Sequence, residues 1–383
     1  MKKTILVLII FVLTCCVMNF EYKIVSAQTL SDNISEQLNN LDLKPLEEYY
    51  NLVIENGTSF FTYITKLLRG EYQVEFEDLS SYVFNIFLQN VKLILPGFVS
   101  IVVISILCGI LGKNNGLLGN SSTGDIVSFI GLISIILILS IQIIALYKNT
   151  ENTIQNIANL IQIMSPIILV LMIGSGATVS ASVYKPTVVF LSNGVINIVL
   201  SVVMPLISIM IIFNVLSNFT SSIKLEKFSE LSASIIKWVI GLACALFGIF
   251  LSIQGITSAT FDGISIKATK YALSNSIPIV GGFIKDGFDL VIAGSILIKN
   301  AIGITCVIIL FYMILSPILY LATFSILLKL ICAIIEPITD NKITSFCLGM
   351  SKCISYLLVA IISVSFMLFI TILLMMFSAN AFI

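Results

Sequence analysis

Six apolar segments, each near or above twenty residues, recur along this chain after an export-like start and one acidic stretch. A bilayer's hydrocarbon core is about 30 Å thick, and a helix rising about 1.5 Å per residue needs roughly 20 apolar residues to cross it. Hydrophobic residues make up 58% of the sequence and charged residues 10%, against about 25% charged in a typical soluble domain. The pattern predicts an all-α polytopic membrane helix bundle. With 20 basic and 20 acidic residues, no excess of positive charge points to nucleic acid.

The first 27 residues read as a secretory signal. Lys2 and Lys3 precede an apolar run from Ile5 to Phe20, and Val25-Ser26-Ala27 supplies small residues for cleavage. An uncleaved anchor is the alternative. Residues 28–91 form an acidic region in which ten acids face only Lys44, Lys66 and Arg69, a net of 3 − 10 = −7. Segments poor in positive charge belong on the outer side of a membrane. Pro45 suits the first turn of a helix through Leu46, Tyr49, Tyr50 and Val53; a second helix takes Phe60 to Leu68, and a third starts near Asp78. A small helical cap and a solvated stalk are both consistent with this.

The spans are expected at 92–112, 126–146, 157–174, 187–213 and 235–256, the first five lying within 92–256, and others at 301–335 and 354–377 within a C-terminal block of 301–383. That makes about seven crossings. Pro205 should tilt or kink the fourth span. The 35 residues from 301 to 335 are too long for one upright crossing and short for two, so Pro317 is expected to break them. Trp238 stands near one end of the fifth span, where amphipathic rings favour the interface.

Chemistry is conspicuous by omission. The chain has no histidine, which removes Ser-His triads and imidazole metal sites. Its cysteines form no C-x-x-C pair and read as small buried hydrophobes. No phosphate-cradling G-x-x-x-x-G-K-[ST] occurs. Asp286 and Asp289 are three residues apart on one helix and do not converge as a protease dyad. No catalytic residue, metal site or cofactor is therefore expected.

The informative stretch is a polar, glycine-rich insert at 257–300. Around it stand Gln254, Asp262, Lys270, Asn275, Asp286, Asp289, Lys299 and Asn300. Non-helical backbone at membrane depth is tolerated only where protein or a water-filled cavity satisfies it, and charges there face such interiors. One reading is a re-entrant element lining a polar cavity or subunit contact, with Lys285 and Asp289 paired at i, i+4. The other is an amphipathic loop with its charges in water. A second cluster, Gly174-Ser175-Gly176-Ala177 with Ser180 before Pro186, reads as tight helix packing or as a hinge.

These residues also resemble a known family. SIQGITSATFDGISIKATK, then Asn275, Pro278, Gly281, Asp286 and Asp289, then GSILIKNAIG, are similar to the stage III sporulation protein AE family of endospore-forming bacteria. SGATVSASVYKP, FLSNGVINIVLSVVMPL and LDLKPLEEYY extend the likeness over nearly the whole mature chain. The resemblance implies a multi-pass protein of the mother-cell membrane around the forespore, with its N-terminal region in the intermembrane space. It further implies membership of the channel-like complex joining the two cells, with that complex's other subunits and membrane lipid as partners, and it is compatible with an oligomer. An assembly component is the leading expectation. A permease-like transporter with a solute site at Gln254, Asp262, Asn275, Asp286 and Asp289 is the alternative, prompted by Gly- and Pro-flanked discontinuities.

Overall fold

The apolar periodicity resolves into helices throughout the computed structural model, which describes residues 38, 41–54, 59–69, 76–113, 121–219, 225–276, 281–339 and 341–378. Two short helices, α1 (Lys44–Val53) and α2 (Phe60–Leu68), precede the long α3 (Phe76–Lys113) and α4 (Ser121–Gly174). Next come α5 (Thr178–Val189), two π-helical stretches at Phe190–Val195 and Val199–Val203 around one α-helical turn, and α6 (Met204–Phe219). The chain finishes with α7 (Glu226–Ser276), α8 (Gly281–Ile335) and α9 (Asn341–Phe377). No strand occurs among the described residues. Among the described residues, six stretches are long and apolar enough to cross a membrane. The expected signal at 1–27 lies outside the described residues.

Several expected breaks are absent. The second and third expected spans are one 54-residue helix, α4, about 81 Å long at 1.5 Å per residue. The segment Lys148–Gln155 between them holds no Gly or Pro, and it buries Thr150, Thr153 and Ile154 while its polar residues face out. An amphipathic turn continues a helix instead of ending it. Within the insert at 257–300 the described residues are helical, α7 running on to Ser276 and α8 starting at Gly281, with 277–280 outside the described residues. Gly263 and Gly294 are buried within these helices, where packing outweighs the roughly 1 kcal/mol that an interior glycine costs. Pro317 stays inside α8 without breaking it, so 301–335 is one unbroken helical stretch. Pro205 does distort its surroundings, by the π-helical turn that ends at Val203 and not by a loop. A residue without an N–H removes one helical bond, and a widened turn accommodates the loss.

Contacts between helices fix their relative heights. At what we term the lower end, α3 and α8 stop, α4 and α9 begin, and Phe129 of α4 meets Phe219 at the end of α6 with ring centroids 5.1 Å apart. Higher up, Phe98 packs on Phe324 at 5.0 Å, and the Ser325 and Ser351 hydroxyls are 3.0 Å apart. At mid-height Tyr82 lies 5.3 Å from Tyr312. At the upper end Gly174, the last residue of α4, abuts Ser295 of α8, and Lys299 of α8 reaches the Ser378 carbonyl past the end of α9. α8 and α9 hold the centre, with Phe324, Phe346, Leu357 and Leu368 fully buried.

Glycines mark the closest approaches. A Cβ on Gly97 would overlap the Gln142 side chain; on Gly109, the Ile338 carbonyl; on Gly303, Met376; on Gly349, Asn214. Small residues let helices in lipid approach this closely.

The acidic region packs as a cap and is not a free stalk. Leu46 and Tyr50 of α1 interlock with Phe60, Tyr63 and Ile64 of α2, all buried, with Tyr50 and Phe60 rings 5.5 Å apart. The Tyr49 hydroxyl donates to the Asn156 carbonyl at 2.8 Å and lies 3.7 Å from the Met313 sulfur. Burial raises the Tyr49 hydroxyl pKa to about 12. The cap therefore sits beside the middle of α4 and α8.

The outward face of α4 changes character at that height. From Ile126 through Ile144 its large exposed residues are all apolar, among them Phe129, Leu137 and Ile141. From Lys148 through Gln162 its exposed residues are all polar: Lys148, Asn149, Glu151, Asn152, Gln155, Asn156 and Gln162. On α3 a matching exposed apolar run extends from Leu93 to Leu111, flanked by Lys92 and Lys113. On α6, Ile209, Ile212, Leu216 and Phe219 are exposed; above them Asn193 and Asn197 are exposed together with Val189, Ile198 and Val202. The lower tier thus has a greasy exterior, and α4 carries a polar belt from Lys148 to Gln162, above which Val170 and Ile173 are exposed again.

Candidate functional site at the upper helix break

The small-residue cluster builds a sharp reversal. α4 ends at Gly174, and the N–H groups of Gly176 and Ala177 bond back to the Ile173 and Met172 carbonyls at 3.0 and 2.8 Å. Gly176 has φ of 83°, a left-handed conformation that costs roughly 1–2 kcal/mol for a residue with a Cβ. Gly174 abuts α8, where an added Cβ would stand 2.8 Å from the Ser295 hydroxyl. Gly174 thus stands at a close helix approach and Gly176 in a helix-terminating turn.

α5 starts at once, and its N-terminus needs acceptors. The first N–H groups of a helix have no partner inside it, and Ala177 at the cap position offers no side-chain oxygen. The acceptor comes from α7. Asp262 is fully buried, and its carboxylate accepts the N–H groups of Val179 at 3.0 Å and Ser180 at 3.2 Å. It also accepts a short hydrogen bond from the Ser180 hydroxyl. A carboxylate against the positive end of a helix is stabilised by up to about 2 kcal/mol in a partly buried geometry.

A second buried charge mirrors the first. Lys299 of α8 is fully buried, and its ammonium donates to the carbonyl of Ser378 just past the end of α9. Here a cation meets the negative end of a helix. Asp262 also acts electrostatically on both Lys299 and the buried Tyr184. Two charges of opposite sign, each set on a helix end of opposite polarity, therefore act on one another. A buried charge is tolerated only when other groups compensate it, and here each is hydrogen-bonded at its helix end.

The structure divides the sequence-predicted residues. Asp262, Lys299, Gly174, Gly176 and Ser180 come together, and buried Asn300 adjoins them in sequence. Asp289 lies ten residues before Lys299 on α8, about 15 Å along the helix, and stands apart. Gln254 lies eight residues before Asp262 on α7 and Asn275 thirteen after it, about 12 Å below and 20 Å above. The expected solute set accordingly does not gather at one height. The side chains of Gln254, Lys270, Asn275, Lys285 and Asp286 lie outside those described, as does the expected pairing of Lys285 with Asp289. Pro186 lies within α5 without interrupting it, and Pro205 follows the second π-helical stretch. Ser295, Tyr184 and Ser378 were not legible as partners, because no spacing rule links residues on different helices. No group of three or more metal-ligating acids and cysteines exists among the described residues. Cys108, Cys306, Cys332, Cys347 and Cys353 are buried as expected, whereas Cys244 is exposed.

Six membrane-length helices, an ordered acidic cap and a charge-stapled helix break define an all-α multi-pass membrane protein. The family model for stage III sporulation protein AE matches residues 58–379. The chain belongs to that sporulation family. It is 28% identical over 357 residues to "Stage III sporulation protein AE" of Bacillus subtilis (strain 168), covering 93% of this chain and 87% of that protein. No solved structure matches it.

Proposed function

We propose that the chain is a non-catalytic subunit of the channel-like complex between mother cell and forespore, acting as membrane anchor and as extracytoplasmic platform. The observation that carries this reading is the switch on α4 from an apolar exterior below Lys148 to a polar one from Lys148 to Gln162. A bilayer matched to the lower tier leaves the upper tier, with α1 and α2 packed at its base, standing in the intermembrane space. From Asn156 to Gly174 that tier rises by 18 residues, about 27 Å. A rigid body of this height is suited to receiving other subunits, and the stapled pair Asp262 and Lys299 keeps its top from fraying. Lipid and the complex's remaining subunits are the partners in this reading.

Purification of a tagged chain from sporulating cells tests it. The other complex subunits should co-purify, and Asp262→Lys or Asp286→Lys should block spore development while the protein stays inserted. Normal sporulation in both variants, or recovery of the tagged chain alone, would overturn the reading.

A further inference from the structure

Three helix ends enclose a cavity at the foot of the lower tier. The start of α4, the last turn of α6 and the start of α9 surround about 710 Å3, half open to the outside. Sites for organic ligands run to about 300–1,000 Å3. Exposed apolar residues reach down to Leu111 on α3, Ile126 on α4 and Phe219 on α6. Ile126 and Phe219 also line the cavity, together with Lys342. The cavity therefore sits where hydrocarbon gives way to head groups.

Its lining is divided by polarity. Phe129 and Phe219, with ring centroids 5.1 Å apart, and the buried Leu132 and Ile343 supply apolar wall. Asn218, Asn341 and Lys342 supply the polar part. Lys342 is exposed and lies in the first turn of α9, which holds no acid, and the first N–H groups of a helix lack partners within it. No acid lines the cavity among the described residues. An anion is favoured at such a place by both the lysine and the helix end.

Asn218 adds a different chemistry. Its amide nitrogen donates to the Asn214 main-chain carbonyl at 2.8 Å and to the Asn214 side-chain oxygen at 3.3 Å. Asn214 is itself tied to α9 by a 2.9 Å bond to the Phe346 carbonyl. With both amide hydrogens engaged, Asn218 offers its oxygen, which accepts from a hydroxyl and not from a phosphate.

We propose that this cavity seats one anionic phospholipid with a hydroxyl-bearing head group. Its phosphate lies at Lys342 and Asn341, its head-group hydroxyl on the Asn218 oxygen, and its chains leave along Phe129 and Phe219. Basic pockets between membrane helices take anionic lipid heads in this way. A soluble phosphate would use the polar part alone and leave the aromatic walls in water. A zwitterionic lipid would bring a second cation to Lys342. The inference rests on the bilayer lying at the lower tier, which cysteine labelling of α4 tests separately. A chain that labels there as expected but shows no lipid preference loses this site and keeps that reading.

Native mass spectrometry of the full chain tests the site, with the chain released from detergent containing equal amounts of phosphatidylglycerol and phosphatidylcholine. One phosphatidylglycerol should stay bound in preference to phosphatidylcholine. Lys342→Gln should weaken its retention about fivefold, the effect of one lysine at an anionic lipid surface. Ser128→Trp places a bulky ring in the cavity and should abolish retention. Both variants should match the parent in lipid-free circular dichroism and melting, which separates loss of the site from loss of the fold. Lys352→Gln removes an exposed lower-tier charge outside the cavity and should change nothing. Excess glycerol 1-phosphate should not displace the lipid. Equal retention of the two lipids, equal losses in Lys342→Gln and Lys352→Gln, unchanged retention in Ser128→Trp, or displacement by glycerol 1-phosphate would each overturn the lipid site.

Discussion

Removing the Asp262 carboxylate should be among the most damaging single changes in the molecule. In Asp262→Ala the Val179 and Ser180 N–H groups and the Ser180 hydroxyl lose their acceptor inside a site without water access. Lys299 keeps its bond to the Ser378 carbonyl but loses the opposing charge. Breaking a buried arrangement of charges by deleting one member costs about 3–5 kcal/mol, most of it from the group left behind. Asp262→Asn retains one oxygen acceptor and should cost about 1–2 kcal/mol. Thermal unfolding in detergent, followed by helical circular dichroism, should show Asp262→Ala melting on the order of 10 °C lower. Adding Lys299→Met to Asp262→Ala should cost less than the two single changes together, with a coupling of about 1–3 kcal/mol. The reasoning fails if Asp262→Ala melts like the parent, or if the two changes are simply additive.

Other positions give independent checks. Gly109→Ala drives a methyl group into the backbone oxygen of Ile338, which cannot rotate away, and should cost about 1–3 kcal/mol in the same melt. Gly241→Ala meets nothing and should stabilise an isolated copy by up to about 1 kcal/mol through helix propensity; a loss of stability in dilute detergent would contradict that. Gly176→Ala should cost about 1–2 kcal/mol, the penalty of a left-handed conformation with a Cβ. Tyr49→Phe removes the bond to the Asn156 carbonyl and should cost about 1 kcal/mol, seen as faster proteolysis of α1 and α2 with the spans left intact.

Much of this architecture was legible in the sequence because lipid enforces long apolar helices. Pro45, the Leu46/Tyr50/Val53 spacing and Phe60 to Leu68 gave α1 and α2 nearly as they stand. Continuity was harder to read. Lys148 to Gln155 is polar enough for a loop, and only the inward turn of Thr150, Thr153 and Ile154 shows it to be helix. The glycines of 257–300 looked like breaks, yet Gly263 and Gly294 are buried inside continuous helix. Two polar clusters were recognisable separately, but their meeting was not, since 82 residues separate Ser180 from Asp262. The helix break itself held a clue. A start at Ala177 without a capping side chain leaves N–H groups that some distant acid must satisfy.

Single cysteines placed along the outer face of α4 test the central idea most directly. With a membrane-impermeant maleimide applied from the side of the acidic cap, Asn152→Cys and Gln155→Cys should label fully, and Leu137→Cys and Ile141→Cys should stay unmodified. Shielding of the first pair to the level of the second would place lipid around the polar half of α4 and contradict a bundle that stands clear of the bilayer.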